Sequence, residues 1–345
     1  LHGLSQVLGE EFPRLFSKKG AARGALSSAF PLATLMFGKS LDQMPQLDEL
    51  FPVLPDGSLD VQEFEKALFA STKFVDDCLS RYLAFEFVSD GDSLAHGELQ
   101  IVSMIAAAAA HAYDFRSNFS LRGTSASRKK AQGLLKVALP QHYIYDILRS
   151  HWRGSLYTYA FQRVWDGVKP SKAYLEAIDA GSFDSALKTL FSEQMTDVSH
   201  KRKNITAADR AFLKFLYSSK VKVADQKSNK FDVEHLIPVA RIQKMTSGKE
   251  PWALGALGNL AVLPAGPNRI KRDETVAQYL ARSGKSAPTR EVATLVKSLL
   301  FVPVSDVAIP QRGKVDIMTQ AQYDAFVRKN WNAMRAQLKK SVGIK

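Results

Sequence analysis

Apolar side chains recur at three- and four-residue intervals along most of this 345-residue chain, and that period commits it to a mainly α architecture. The clearest instance is 60–88, DVQEFEKALFASTKFVDDCLSRYLAFEFV, where Asp60 and Glu63 form a capping-box pattern at the start. The spacing also predicts helices over 98–113, with its five consecutive alanines, and over 141–166, 170–194, 207–219, 289–300 and 319–342. Pro140, Pro170 and the Gly-Asp-Ser cluster at 91–93 punctuate them. From about Lys220 to Leu263 the period fades. VKVAD and KFDVEHLIP have β-type composition, NLAVLP follows a Gly/Pro-rich connection, and PNRIKRDETVAQYL resumes a helix. The order strand, long loop, strand, helix predicts a small ββα unit near 221–282. It lies in a domain over 196–345 with further helices at its C-terminal end, after a helical region over 1–195.

Net charge is +13 and the pI about 9.6. A field of that sign favours anionic partners, of which nucleic acid is the commonest. The segment 201–245 is more biased still, with 11 Lys and Arg against 4 Asp and Glu. The single cysteine, Cys78, excludes an intramolecular disulfide and a Cys-rich zinc site, and fits a reducing cytoplasm. No apolar run approaches the roughly 20 residues that span a bilayer. The longest, Ile101 to Ala110, ends at His111, so no membrane partner is expected. No signal peptide is visible, and a first residue of Leu1 rather than methionine reads as a piece of a longer protein.

Some stretches imitate sites without the residues a site needs. PDGSLDVQEF resembles half a calcium loop, but Pro52 and Leu54 fall where its first and third ligands belong. SGKS at 283–286 has Tyr279 where a phosphate loop needs glycine. RGTSASRKK at 122–130 and HKRK at 200–203 read as solvated loops or as phosphate contacts. The aromatic set Trp152, Tyr157, Tyr159, Phe161 and Trp165 lies in a helical stretch and reads as core. His96, His111, His142, His151 and His200 have no metal-type partner at short spacing and read as structural or exposed.

DVEHLIP at 232–238 is different. Glu234 and His235 are adjacent, so on a regular strand they point to opposite faces. For both to reach one site the strand must end or bend there, and Pro238 is a plausible stop. A carboxylate can hold a hard divalent cation, and an imidazole titrating near neutrality can take a proton from water. Asn259 opens the second strand and Asn268 the following helix, where an amide oxygen can face the hairpin. Lys271 is one helical turn on, shares that face and can meet a phosphate.

The ordered set D-x-E-H-x-x-P, G-N-L and N-x-x-K resembles the HNH endonucleases with a ββα-metal core. More narrowly, FDVEHLIP, LGNLAVL and the following Asn and Lys resemble the C-terminal nuclease domain of GmrSD-type, modification-dependent restriction enzymes, which include phosphorothioate-sensing members. The match covers about 60 residues near the C-terminal end. The resemblance implies a helical domain with an embedded ββα-metal nuclease core. His235 would be the general base, Glu234 and Asn268 the metal ligands, and Asn259 the residue that buttresses the loop and orients the histidine. Asp232 would support these from behind, with Lys271, Arg269, Arg241 and Lys230 as DNA contacts. It implies a single Mg²⁺ or Mn²⁺ ion and a double-stranded DNA substrate. It implies nicking that leaves 5′-phosphate and 3′-hydroxyl ends, and an upstream nucleotide-hydrolysing sensor domain in a phage-defence system. Classical members often have aspartate at the position of Glu234, and the 24 residues from His235 to Asn259 exceed the shortest spacings.

Other classes remain open at this level. The same residues fit a catalytically silent DNA-binding module, an RNA-directed HNH nuclease, or a structural His–Glu pair with two capping asparagines.

Overall fold

The structure is a computed structural model. It describes residues 2–16, 24–43, 50–51, 54–57, 60–83, 87, 97–152, 156–196, 205–221, 230–246, 252–313 and 315–345, without the side chains of 2, 3, 5, 24–27, 43, 207 and 269. The chain is mainly helical, and its strands form four two-stranded antiparallel pairs among the described residues. It divides into two compact units, Leu1–Ala84 with Asp92–Asp179, and Phe85–Gly91 with Ala180–Lys345.

The first unit is built around the helix Glu98–Ala112. Eleven consecutive residues, Gln100 to Ala110, are buried. A helix apolar on every side must be surrounded. The helices Gly24–Met36, Gln62–Leu83, Ser125–Leu148 and Tyr157–Val164 pack around it. Its alanines let those neighbours approach closely. Phe37, Phe51, Phe64, Phe115 and Phe119 add an edge-to-face cluster.

Pro140 does not break a helix as the sequence suggests. Ser125–Leu148 runs through it. Proline removes one backbone hydrogen bond and costs about 3 kcal/mol in a helix interior. Here Ala138, Leu139, Tyr143 and Ile144 are all buried around it, and their packing offsets that cost. The expected helix 141–166 instead ends at Leu148 and restarts at Tyr157.

A buried polar group closes this unit. Asp146 accepts from the Trp152 indole at 2.9 Å and lies 3.1 Å from His151 Nδ1. Arg163 donates to His142 Nδ1 at 2.8 Å, so that nitrogen is the acceptor and Nε2–H donates to the Glu176 carbonyl. Burial, then the neighbouring Arg163 charge, pushes the His142 pKa down to about 4. An imidazole with a depressed pKa stabilises the fold above its unfolded value near 6.5, and that stability is lost as pH falls toward 4. The first unit should therefore weaken by roughly 3 kcal/mol across that window. Thermal melts should show it, and His142→Leu should flatten the dependence. His111 also bonds within the fold, its Nε2 lying 2.9 Å from the Ser171 carbonyl. His96 and His200 lie outside the described residues, as does HKRK.

The second unit is organised on the helix Gln320–Ser341. Its Trp331 ring lies between Phe191 and Phe212, each at 5.3 Å. The helix Ala180–Thr196 belongs to this unit, whereas the sequence places a boundary at 195/196. The reason is local: Phe191 stacks on Trp331, and Gln194 bonds both Asp209 and the Leu257 amide.

The strand Phe231–His235 pairs antiparallel with Leu260–Pro264, Val233 opposite Val262 and His235 opposite Leu260. The helix Ala265–Lys271 follows at once and lies against both strands. The long connection between the strands contains the helix Val239–Met245 and a 3-10 turn, Leu257–Asn259. VKVAD lies mostly outside the described residues. The single helix expected over 267–280 is two. Arg272 adopts φ +54°, left-handed backbone that a non-glycine residue rarely takes, and Thr275 then caps a new helix, Val276–Leu280.

Candidate active site

Glu234 and His235 end the first strand, Asn259 closes the turn before the second, and Asn268 and Lys271 lie on the helix that follows. His235 is the last residue of its strand, opposite Leu260. Beyond it the backbone leaves the ladder, and Asn259 fixes how. Its side chain is completely buried. Oδ1 accepts from the Ile237 amide at 2.9 Å, while Nδ2 donates to the Ile237 carbonyl at 3.2 Å and to the Leu254 carbonyl at 3.1 Å. The Asn259 carbonyl also accepts from the Leu236 amide at 2.7 Å. One side chain therefore satisfies both backbone groups of the residue two beyond His235. Asn259→Ala would orphan both, at about 1–3 kcal/mol for each buried group. Urea unfolding should report a loss of about 3 kcal/mol.

Gly258 explains the glycine of the Gly-Asn pair. A Cβ there would lie 2.2 Å from the Val327 carbonyl oxygen. The neighbouring Asn330 donates to the Gly258 carbonyl at 2.9 Å. The turn is thus pressed onto the helix Gln320–Ser341.

Glu234 and Lys271 meet. Lys271 Nζ lies 2.7 Å from Glu234 Oε1 and donates to the Glu274 carbonyl at 2.7 Å. The Lys271 side chain is 1 % exposed and that of Glu234 19 %. Lys271 is therefore not presented to a phosphate, as the sequence suggests; it is an internal counter-ion. The reason is that the helix carrying it lies on both strands, so the Asn268–Lys271 face turns inward. Asn268 Oδ1 is buried and accepts no hydrogen bond from the described residues.

Arg241 is likewise engaged within the protein rather than offered to DNA. Nε donates to Asp316 at 2.6 Å, and its Nη groups reach Asp316 and Gln278. That hydrogen bond holds the Asp316 carboxyl below the usual carboxylate range. Lys230 is exposed at the start of the strand. Asp232 is half-buried, and its carboxylate accepts from the Val233 amide. The Arg269 side chain lies outside the described residues.

Among the described residues, no three His, Cys, Asp or Glu side chains gather in a metal-holding group. The expected ligand pair is one carboxylate and one amide, so that observation does not bear on it. Both donors are hard oxygens, which suit Mg²⁺ or Mn²⁺. Glu234 already faces a cation in Lys271, and Asn268 offers an unfilled buried oxygen. The donor set fits a hard divalent ion. Residues that sequence reasoning missed are Glu274, whose carbonyl holds Lys271, and Asn330, which holds the Gly-Asn turn. Neither carries a sequence signal, because each acts through a contact between separated elements.

No family model, no curated protein and no solved structure matches this chain.

Proposed function

We propose that this chain is a metal-dependent DNA endonuclease of the HNH, ββα-metal kind, acting in a modification-dependent, anti-phage restriction system and nicking double-stranded DNA. The observation that carries the reading is the antiparallel pair Phe231–His235 and Leu260–Pro264 followed directly by a helix lying on it, with Glu234, His235 and Asn268 all in that element. The positive balance of the chain supports an anionic substrate.

In this reading Glu234 and Asn268 hold a single Mg²⁺ or Mn²⁺ ion. When bound, the ion neutralises charge that develops on the scissile phosphate and leaving oxygen. His235 takes the proton of the attacking water. Asn259 clamps Ile237 and so fixes the direction in which the chain leaves His235. Lys271 seats the Glu234 carboxylate by a direct contact at 2.7 Å. An upstream nucleotide-hydrolysing sensor domain would govern when the site acts.

Supercoiled plasmid tests the reading. The chain should convert it to open circles with Mg²⁺ or Mn²⁺ and not with EDTA. His235→Ala should cut at least about 10²-fold more slowly, the usual scale of a lost general base. Equal cutting by both proteins would remove His235 from the mechanism. Structured RNA run in parallel separates an RNA-directed nuclease from a DNA enzyme.

The Glu234–Lys271 pair favours one second reading, a silent DNA-binding module in which lysine permanently replaces the metal. That module would shift plasmid on a gel and never cut it, with any divalent ion.

A further inference from the structure

We propose that the outward face of the first half of the helix Ser125–Leu148 grips duplex DNA through its phosphates. The inference rests on DNA being the substrate, and adds a contact surface in the first unit.

The segment 122–130, which from sequence reads as a solvated loop or a phosphate contact, is mostly helix. Thr124 caps it, its hydroxyl accepting from the Ser127 amide at 3.2 Å. No residue from Ser125 to Leu134 is buried, and the first buried side chain is Leu135. Packing therefore contributes little to these turns, whereas helices in proteins ordinarily owe most of their stability to it. Their exposure asks for another use.

Charge points to the use. From Arg116 to Tyr145 the chain holds six Lys and Arg and no Asp or Glu. Three of the six serve the fold. Arg122 pairs with Asp114, Arg128 donates to the Arg122 and Gly123 carbonyls, and Arg116 lies over the Phe115 ring. The other three, Lys129, Lys130 and Lys136, are exposed, and none pairs with an acid among the described residues. Lys129 and Lys136 are seven residues apart, on one stripe and about 10 Å apart along the axis.

Between them on that stripe is Gly133. A Cβ there would meet nothing within 4 Å. Glycine weakens a helix relative to alanine, and no neighbour in the fold requires it here. It leaves the backbone bare between two lysines, where a phosphodiester strand can come close. Ser125 lies on the first exposed turn and adds a neutral donor suited to a phosphate oxygen. An acidic membrane would also attract lysines, but an interfacial helix carries a broad apolar face. Here only Leu134 and Val137 are large, apolar and exposed in the helix.

The test is fluorescence anisotropy on a short duplex in EDTA, titrated with salt. It compares wild type with Lys129→Gln/Lys130→Gln/Lys136→Gln, and with a control of equal charge change, Lys285→Gln/Lys297→Gln/Lys340→Gln. Glutamine keeps helix propensity, so all three proteins should melt alike. Each phosphate contact contributes about 0.9 to the slope of log affinity against log salt. The first variant should lose about 2–3 from that slope and at least about tenfold in affinity, and the control much less. An unchanged slope, or an equal loss in the control, overturns the proposal. So does an unchanged slope with lost binding to phosphatidylserine vesicles, which would make the face a membrane contact. Plasmid nicking is scored separately. Persistent nicking with an unchanged slope sinks only this face, while a reduced slope without nicking leaves the face and sinks the nuclease reading.

Discussion

Lys271→Met should destabilise the second unit by about 3–5 kcal/mol in EDTA, the cost of removing one partner from a buried ion pair. Methionine keeps the length and apolar stem of the side chain, so the loss isolates the ammonium. What remains is a Glu234 carboxylate in a site only 19 % exposed, with no counter-charge. If Glu234 is a metal ligand, a divalent ion can replace that charge. Ligand binding stabilises a fold in proportion to the logarithm of ligand concentration over its dissociation constant. Mn²⁺ should therefore raise the melting temperature of Lys271→Met more than that of wild type. Melting without activity makes the readout independent of cleavage. No loss of stability in EDTA would show the pair to be dispensable. A loss that Mn²⁺ does not repair would remove Glu234 from the ligand set.

Gly258→Ala should be as damaging by a different route. The added methyl would stand 2.2 Å from the Val327 carbonyl oxygen and 2.8 Å from Val327 Cγ1. One contact is backbone in the middle of a long helix, which cannot swing aside as a side chain can. Overpacking ordinarily costs 1–3 kcal/mol, and a clash with fixed backbone belongs at about 3 or above. The turn would have to lift away from the helix, and Asn259 would move with it and release Ile237. Denaturant unfolding of Gly258→Ala should show a midpoint far below wild type. A change under about 1 kcal/mol would mean that the turn is not seated on that helix.

What was legible in the sequence follows from how far apart the interacting residues lie. The helices rest on periodicity, a local property, and Glu98–Ala112 and Gln320–Ser341 fall within a residue or two of the expected bounds. The strand holding Glu234 and His235, and the turn holding Gly258 and Asn259, were also visible, because turn chemistry and β-branched runs are local. The pairing of Lys271 was not. Its spacing from Asn268 correctly places both on one face, but whether that face meets solvent or the hairpin is decided by packing. The engagement of Arg241 is hidden for the same reason, since its partner Asp316 is 75 residues away. Pro140 failed as a stop signal because buried neighbours outweighed a local preference.

The seating of the Gly-Asn turn also sets an order of events during synthesis. Both strands and the helix after them leave the ribosome before Val327 and Asn330, which hold the turn between those strands. Domains tend to fold as units, N-terminal parts first. The hairpin alone is a two-stranded pair, too small to be stable in water. A nascent chain that has not yet exposed the helix Gln320–Ser341 therefore carries the hairpin with its Gly-Asn turn unseated, and the ββα element matures only with the end of its own unit.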